Sequence, residues 1–394
     1  MSTRVAVVTT GRADYGLLRP LLAQLARDDR FELQVIATGS HLLESQGMTV
    51  KEVQADGYAV ISLPLPADEH DSPAATARAI GALVASFAEA IEGEDLDLVV
   101  ILGDRFEAFA AASASLVMGV PIAHIHGGEI TLGSLDDAFR HAITKMATLH
   151  FASTEDHRRR IIQMGEPPIA AFNVGALALD NIRTMTLLSP AAFEREYGVV
   201  CDARTLLVTF HPVTRHGDSR AELASLLEAL DAYPEYSVLF TAPNIDAGGR
   251  EVRHEIETWI EANTDRARMV PSLGPVGYLS AARNAALVIG NSSSGLIEVP
   301  GLGVPSVDVG TRQAGRVRPA SVLHAAAERA AIVDAMHQAM SEVHRHSAAT
   351  SRNPFGDGHA ADRIVEVLAD KELVRSLGKP QFCDLEFKEP CDVN

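Results

Sequence analysis

The chain has little of what marks disulfide-rich, metal-binding or membrane proteins. Only three of its 394 residues are cysteines, Cys201, Cys383 and Cys391, and they show no metal-ligand spacing. Their small number indicates a reducing compartment. No apolar run approaches the ~20 residues that a membrane span needs, and the amino terminus lacks a signal-peptide cleavage pattern. We therefore expect a cytoplasmic protein with no membrane partner and no metal site.

Positive charge is also scarce. The formal net charge is −18, which argues against nucleic acid as a partner. The same charge disfavours an anionic substrate, so any phosphate site must be assembled locally from arginines and backbone amides. An apolar content of 47% with 22% charged residues is typical of a soluble globular enzyme. At 394 residues the chain is too long for one ordinary core, which favours two domains.

Short apolar, β-branched runs alternate with helical patterns along the chain. In the first part they are VAVVTT (5–10), LQVIATG (33–39), LDLVVILGD (96–104), PIAHIHGG (121–128), LHFAST (149–154) and FNVGA (172–176). A second series begins near residue 204 with TLLVTFHP, YSVLFTAP, ARMVPSL, AALVIGNSS and PSVDVG. Such runs are typical of buried parallel strands, and their alternation with helices indicates βαβ units. The sequence thus predicts an α/β protein with two Rossmann-like domains.

The boundaries of these domains follow from the same pattern. Residues 181–189, followed by Pro190, form the predicted crossover. We assign residues 1–185 to an N-terminal domain and residues 186–358 to a C-terminal domain. A last helix over about 359–377 begins a segment, residues 359–394, that we expect to return toward the N-terminal domain.

Polar residues follow five of the predicted strands, from both halves of the chain. They occur in the segments Gly11–Asp14, Gly103–Arg105, His124–Glu129, His211–Pro212 and Ser292–Ser294. Ligands of open α/β sheets bind beyond the carboxyl ends of the strands. If the two sheets face each other, these ends line one cleft, and we expect the functional groups there.

The segment 290–300, GNSSSGLIEVP, is the most informative of these strand ends. Three serine hydroxyls, of Ser292, Ser293 and Ser294, precede a helical stretch from Gly295 to Pro300. A helix N-terminus with small polar residues favours an anion such as phosphate. Glu298 follows about one turn later, where it can accept hydrogen bonds from vicinal sugar hydroxyls. Simple N-capping by a serine is the alternative.

Seven motifs, in order and similarly spaced, resemble the hydrolysing UDP-N-acetylglucosamine 2-epimerases, and most closely the bacterial type of sialic acid synthesis. They are TGRADYG (10–16), TGSHL (38–42), LGDRFE (102–107), HIHGGEITLGSLDDAFRHAITKM (124–146), FHP (210–212), GNSSSGLIEVP (290–300) and GTRQAGRVR (310–318). The resemblance runs from residue 1 to about 370. It implies a glycosyltransferase-B-like fold with two domains facing across a cleft.

The resemblance also implies a reaction. The family is understood to remove the proton at carbon 2 and UDP from carbon 1, giving 2-acetamidoglucal, and then to add water. The products are N-acetylmannosamine and UDP, and no cofactor is needed. We expect a UDP-sugar as the substrate and a homo-oligomer as the assembly.

The residue roles carried over by the resemblance fall into two groups. For proton chemistry they are Asp104, Asp136 and His211, together with His126, which stands where many relatives have Glu. Either His126 or Glu129 carries out the acid–base role at that position, and the sequence leaves both alternatives open. For the nucleotide they are Arg12 and Arg312 near the phosphates, Ser292 and Ser293 on phosphate, and Glu298 on ribose. Ser294 belongs to the same loop, and Arg105 is a further diphosphate candidate on charge and position.

Other functions stay open. A glycosyltransferase would share the fold and the nucleotide-sugar site but would need an acceptor. A non-hydrolysing epimerase would keep the UDP–sugar bond, and a sensor would lack the acid–base residues. Among hydrolysing epimerases, the alternative substrate is UDP-2,4-diacetamido-2,4,6-trideoxyglucose, used for legionaminic-type sugars.

Overall fold

The structure is a computed structural model that describes residues 2–66, 72–131, 134–212, 219–243, 249–271, 273–377 and 382–385. Its contacts divide the chain into two compact units. The N-terminal unit comprises Met1–Ile130, Ser134–Asp180 and Gly358–Asn394, and the C-terminal unit comprises Thr131–Gly133 and Asn181–Asp357. The predicted domain boundaries themselves stay predictions. Cys391 lies outside the described residues, and Cys201 and Cys383 are free thiols.

The N-terminal unit contains a seven-stranded, all-parallel sheet in the order β3-β2-β1-β4-β5-β6-β7. Its strands are β1 (Thr3–Thr9), β2 (Phe31–Thr38), β3 (Val60–Leu63), β4 (Leu98–Leu102), β5 (Ile122–Ile125), β6 (Leu149–Ala152) and β7 (Ala171–Asn173). Its helices are α1 (Arg12–Leu25), α2 (Val50–Ala55), α3 (Pro73–Ile91), α4 (Phe106–Val117), α5 (Leu135–Met146) and α6 (Glu155–Gln163). Helix α7 (Leu177–Thr184) spans the division between the units.

Alternate residues of each strand enter opposite layers of the core. In β1, Val5 and Val7 belong to the cluster that contains α1, whereas Ala6 and Val8 belong to the cluster that contains α3 and α4. Period-two alternation of side chains explains this division. A sheet that is covered on both faces favours strands that are apolar along most of their length, and this is why residues 5–8 of β1 and all of β4 appear as continuous apolar runs.

The predicted last helix is two helices, α15 (Ala360–Ala369) and α16 (Lys371–Leu377), which are separated at Asp370. The first of them packs on α1 in the core of the N-terminal unit. The buried carboxylate of Asp180 accepts the backbone N–H groups of Ala360 and Ala361, at 3.0 and 2.9 Å. A carboxylate is favourable at a helix N-terminus, where backbone N–H groups lack partners in the helix.

The C-terminal unit contains a six-stranded parallel sheet in the order β10-β9-β8-β11-β12-β13. Its strands are β8 (Thr205–Thr209), β9 (Ser237–Thr241), β10 (Ala267–Val270), β11 (Leu287–Gly290), β12 (Ser306–Val309) and β13 (Val322–Ala325). Its helices are α8 (Pro190–Tyr197), α9 (Ser219–Leu230), α10 (Gly249–Ala262), α11 (Gly274–Asn284), α12 (Ser294–Gly301), α13 (Arg329–Ala339) and α14 (Glu342–Thr350). Leu206 and Val208 of β8 pack toward α9 and α13, and Leu207 packs toward α11 and α12. The prediction of two parallel α/β sheets is confirmed.

One helix of the N-terminal unit has the length and the composition of a membrane span, although charged residues interrupt its apolar sequence. Helix α3 has 19 residues and contains an 18-residue window with a mean hydropathy of 1.4, and is therefore long and apolar enough to cross a membrane by length and composition alone. The same criteria are met by core helices. Its buried residues recur every four positions, as Ala75, Ala79, Leu83, Phe87 and Ile91, and they contribute to the core of the N-terminal unit.

Candidate active site

In the N-terminal unit, three neighbouring strands carry polar residues at the same edge. Strands β1, β4 and β5 are adjacent and parallel, so their carboxyl ends lie side by side. They lead into the segments TGR, GDR and HGGE, which contain Arg12, Asp104 and His126. The sheet thus brings together groups that are more than 100 residues apart in sequence.

The turn after β1 is held by Asp14. Its carboxylate accepts the backbone N–H groups of Thr10, Gly11 and Tyr15 at 2.6, 2.8 and 2.8 Å. The carboxylate thus bonds two N–H groups that precede α1 and one in its first turn, and Tyr15 also bonds the Gly11 carbonyl at 3.0 Å. Arg12, the first residue of α1, extends toward solvent and lies 3.7 Å from Glu52. Hydrogen bonds thus fix the backbone on either side of Arg12. Its guanidinium is exposed to solvent, where a ligand can reach it.

The turn after β4 carries Asp104, which forms an ion pair with Arg140 of α5. Arg140 is buried, and its guanidinium also lies 3.6 Å from Asp137. A buried arginine beside a carboxylate favours the ionised carboxylate. His124 fixes the same turn, because its Nε2 bonds the carbonyl oxygen of Gly103 at 2.8 Å. Burial lowers the pKa of His124 to about 3, so this ring is neutral and structural.

Arg105 has less freedom than its sequence position suggests. Its guanidinium makes two bonds to the buried carboxylate of Glu107, at 3.1 and 3.2 Å. A bidentate pair of this kind fixes the orientation of the guanidinium. A phosphate would have to share Arg105 with Glu107.

His126 follows β5 in a left-handed backbone conformation, with φ of +65°. For a residue with a Cβ this conformation costs on the order of 1–3 kcal/mol, and such residues concentrate at functional sites. The side chain is 13% exposed. Gly128, at φ +75°, follows closely, and a Cβ there would lie 2.4 Å from the carbonyl oxygen of His157. The chain therefore turns tightly at this point and returns Glu129 toward His126.

The structure brings the two alternative acid–base residues together. The Nδ1 of His126 lies 3.4 Å from Oε1 of Glu129, and the same oxygen accepts the hydroxyl of Ser153 at 2.7 Å. A carboxylate at one ring nitrogen favours the protonated imidazole and orients the ring. The structure therefore places His126 and Glu129 in contact, and both stay candidates for the acid–base role.

Asp136 lies in the first turn of α5 and is exposed. Ser134 caps this helix, and its hydroxyl lies 3.0 Å from Oδ2 of Asp136. The neighbouring Asp137, rather than Asp136, contacts Arg140 and therefore stands nearer the Asp104 ion pair.

In the C-terminal unit, Asn291 ties the ends of β8 and β11 together. Its side-chain oxygen accepts the backbone N–H of His211 at 2.7 Å, and its amide group donates to the His211 carbonyl at 2.8 Å. Gly290 permits this approach, because a Cβ there would lie 1.9 Å from the Thr209 carbonyl oxygen and φ is +143°. The backbone of His211 is thereby fixed at the carboxyl edge of this sheet.

The three serines before α12 differ in availability. Ser294 is buried and donates its hydroxyl to the phenol oxygen of Tyr278 at 2.6 Å, whereas Ser292 and Ser293 are half-buried. The helix begins at Ser294, one residue before the predicted start, and Ser293 at its N-cap position makes no side-chain capping bond. The hydroxyl of Ser292 accepts the backbone N–H of Ser294 at 3.4 Å, so N-capping by a serine stays an alternative at Ser292 but has no contact at Ser293. Ser292 and Ser293 are the hydroxyls that a phosphate could reach.

A cation and a carboxylate flank this loop. Arg312 donates to the carbonyl oxygen of Asn291 at 3.0 Å, which places the guanidinium beside the serine turn. Glu298 of α12 is half-buried, and burial raises the pKa of its carboxyl against the opposing effect of Ser294. The arrangement offers hydroxyl donors, one cation and one acceptor within a single unit.

The residues that hold the predicted site residues in place, through hydrogen bonds or ion pairs, were not identified from the sequence. Arg140, Asn291, Ser153 and Tyr278 bond the predicted residues, yet each is an ordinary polar residue in its own stretch of sequence. One signal was available: Arg140 lies three residues after Asp137 on the same predicted helix, at the spacing of the ion pair that the structure shows.

Comparison with known proteins agrees with this architecture. The family described as UDP-N-acetylglucosamine 2-epimerase matches residues 23–369. A Campylobacter jejuni protein named GDP/UDP-N,N'-diacetylbacillosamine 2-epimerase (hydrolyzing) is 35% identical over 321 residues, 81% of this chain and 83% of that protein. Polysialic acid biosynthesis protein P7 of Escherichia coli is 32% identical over 378 residues, 95% of each chain.

A solved structure extends the likeness to the fold. UDP-GlcNAc 2-epimerase from Neisseria meningitidis, determined with bound UDP-GlcNAc, gives a TM-score of 0.77 at 19% identity and covers 93% of this chain and 99% of its own. The predicted glycosyltransferase-B-like fold is confirmed. With the family match and the identity to the two relatives, these findings place the chain in the UDP-N-acetylglucosamine 2-epimerase family.

Proposed function

We propose that this protein is a hydrolysing 2-epimerase that converts UDP-N-acetylglucosamine and water into N-acetylmannosamine and UDP. The main observation behind the proposal is that Asp104, His126 and Glu129 follow the ends of two adjacent strands. Acid–base residues placed together in this way supply what an elimination followed by hydration requires. The names of the hydrolysing and polysialic acid relatives support the same direction. No cofactor enters the proposal, and a cytoplasmic homo-oligomer is part of it.

The first step removes the carbon-2 proton and expels UDP from carbon 1. In the proposal, His126 takes the proton, and Glu129 at its Nδ1 stabilises the imidazolium that forms. The electron pair of the C–H bond forms the double bond of 2-acetamidoglucal, and the C–O bond to UDP breaks. Arg12, Arg105 and Arg312 are the cations assigned to the diphosphate that leaves.

The second step adds water across the double bond. The oxygen of water bonds to carbon 1 as the water gives up a proton to a base. A proton is returned to carbon 2 on the face opposite to the one that lost it. We assign Asp104, Asp136 and His211 to these proton transfers. Asp104 forms an ion pair with the buried Arg140, and it is the carboxylate that we assign to the activation of water.

The nucleotide is assigned to the C-terminal unit. Ser292 and Ser293 would donate to a phosphate beside Arg312, and Glu298 would accept from the ribose hydroxyls. Ser294 is assigned a supporting role, because its hydroxyl already bonds Tyr278.

Incubation with UDP-N-acetylglucosamine and identification of the products tests the proposal. Free N-acetylmannosamine and UDP should form without nicotinamide and without an added acceptor. Accumulation of UDP-N-acetylmannosamine would refute the hydrolysing assignment. A requirement for an acceptor would instead identify a glycosyltransferase.

A second substrate is favoured by the Campylobacter jejuni relative, whose name specifies N,N'-diacetylbacillosamine. That sugar is the 2,4-diacetamido-2,4,6-trideoxyglucose of the alternative, and it differs from N-acetylglucosamine only at carbons 4 and 6. The same carbon-2 chemistry would serve both. Measurement of kcat/KM with each UDP-sugar decides between them.

A further inference from the structure

The Glu129 carboxylate is held by a chain of buried hydrogen bonds that no role assigned so far uses. Ser153, immediately after β6, is fully buried, and its Oγ lies 2.7 Å from Oε1 of Glu129. The same Oγ lies 2.9 Å from Nδ1 of His157 in α6. The order of contacts is therefore His126, Glu129, Ser153 and His157, and all four residues belong to the N-terminal unit.

The direction of each hydrogen bond follows from the available protons. An ionised carboxylate only accepts, so the single hydroxyl proton of Ser153 points at Glu129. The Ser153 oxygen must then accept the proton on Nδ1 of His157. Burial lowers the pKa of His157 to about 4, so the ring is neutral with its one proton on Nδ1. The neutral ring thus has a single tautomer in this arrangement.

We propose that Ser153 and His157 are positioning residues that hold the Glu129 carboxylate against His126. This inference rests on the proposed function for its kinetic consequences, but the arrangement of the four groups is independent of it. His157 fixes the Ser153 hydroxyl, Ser153 fixes one oxygen of Glu129, and that oxygen faces Nδ1 of His126. A shift of the carboxylate away from the ring would remove the charge that stabilises the imidazolium.

The surroundings of the four residues contain further charges. Besides burial, the charges of Arg160 in α6 and Arg140 in α5 lower the pKa of His157, as His126 does, and Glu129 raises it. His126 and Arg140 also lower the pKa of His124. Arg160 also donates to the Gly128 carbonyl and so braces the turn that carries Glu129. The hydrogen-bond directions given above are those of the ionised form of Glu129.

A double-mutant cycle tests the proposal. Ser153→Ala should lower kcat about tenfold, the scale of a lost hydrogen bond to a charged group, with KM nearly unchanged. In an enzyme that already carries Glu129→Gln, the same Ser153→Ala change should have little further effect, because Ser153 acts through the charge of Glu129. Equal losses in both backgrounds would overturn the proposal. Ser115→Ala is the matched control, since Ser115 is buried in the same unit and its hydroxyl bonds only the Ala111 carbonyl among the described contacts.

Two amide variants test the role of His157. The side-chain amide of Asn can occupy the position of Nδ1, whereas that of Gln reaches the position of Nε2. His157→Asn should therefore retain more activity than His157→Gln, although both remove the imidazole. The reverse order, or equal loss, would contradict a positioning role.

A titration without substrate separates this proposal from the proposed function. Nuclear magnetic resonance of the His126 ring should show that Ser153→Ala moves its titration to lower pH, and Ser115→Ala should leave it unchanged. An unchanged His126 titration in Ser153→Ala would overturn the positioning role even in an active enzyme. A shifted titration in a protein that lacks epimerase activity would uphold the role and refute the proposed function.

Discussion

The carboxyl edges of the two sheets are built on different principles. In the N-terminal unit the edge carries ionisable groups that hold one another, as in the pairs Asp104–Arg140 and His126–Glu129. In the C-terminal unit it carries serine hydroxyls and backbone groups arranged by Asn291, with Arg312 alongside. Both edges come from the same parallel α/β architecture, so the difference lies in the residues after the strands.

This difference indicates a division of work. Ionisable groups in close pairs can take up and release protons. Hydroxyl and amide donors beside a helix N-terminus bind an anion without changing protonation. If the division is real, substitutions of the acid–base residues of the N-terminal unit will change turnover, and substitutions in the serine loop will change nucleotide affinity. His211, which we assign to proton transfer, is the exception in the C-terminal unit.

The largest effect is expected from the carboxylates of the N-terminal unit. Asp104→Asn and Asp136→Asn should each lower kcat by roughly 10²–10⁴-fold, the scale of losing a general acid or base. UDP affinity, measured by calorimetry, should be retained in both. If either variant turns over at close to the wild-type rate, its assigned catalytic role is wrong. If either variant loses UDP binding, the proposed division of work between the units is wrong.

The next effect concerns His126 and Glu129. If His126 takes the proton, His126→Gln should lose about two orders of magnitude in kcat, and His126→Glu should recover part of that loss. Glu129→Gln should lose less and should move the acid limb of the pH–rate profile to lower pH, because the lost carboxylate favours the protonated ring. A more severe loss in Glu129→Gln than in His126→Gln would transfer the acid–base role to Glu129.

A smaller effect is expected in the serine loop. Ser293→Ala should weaken UDP binding by about tenfold, since a hydrogen bond to a charged group is lost, and should leave kcat at saturating substrate nearly unchanged. Ser294→Ala should disturb the Tyr278 contact instead, so its effect should also appear in thermal stability. A loss of kcat without a loss of affinity in Ser293→Ala would contradict the assignment of this loop to the nucleotide.

The last effect is on stability at mild acid rather than on turnover or affinity. Burial lowers the pKa of His124 to about 3 and of His157 to about 4, and both residues belong to the N-terminal unit. Between about pH 6.5 and these values, the unfolded chain binds protons that the folded chain does not. Stability should therefore fall with falling pH, by about 1.4 kcal/mol per pH unit for each histidine. Hydrogen-exchange protection at pH 7 and pH 5 should fall more in β4 and β5 than in β8 and β11, and an equal fall would contradict this account.

The sequence predicted the strands that carry continuous apolar runs, because such runs are needed where both faces are covered. It missed β3 and β13, which are four residues long, lie at sheet edges and are only partly buried. It also placed polar residues at the correct strand ends. It could not predict the bonds among them, because Arg140 reaches Asp104 and Ser153 reaches Glu129 only through the tertiary arrangement of helices and strands. The left-handed backbone at His126 had no sequence signal beyond the two glycines that follow it.

The most direct test of the central claim is turnover of UDP-N-acetylglucosamine in heavy water, followed by mass spectrometry and proton resonance of the released sugar. If acid–base groups of the N-terminal unit remove the carbon-2 proton and a solvent-derived proton replaces it, the N-acetylmannosamine will carry deuterium at carbon 2. N-acetylmannosamine that retains the original hydrogen at carbon 2 would contradict the elimination mechanism and the role given to this edge of the molecule.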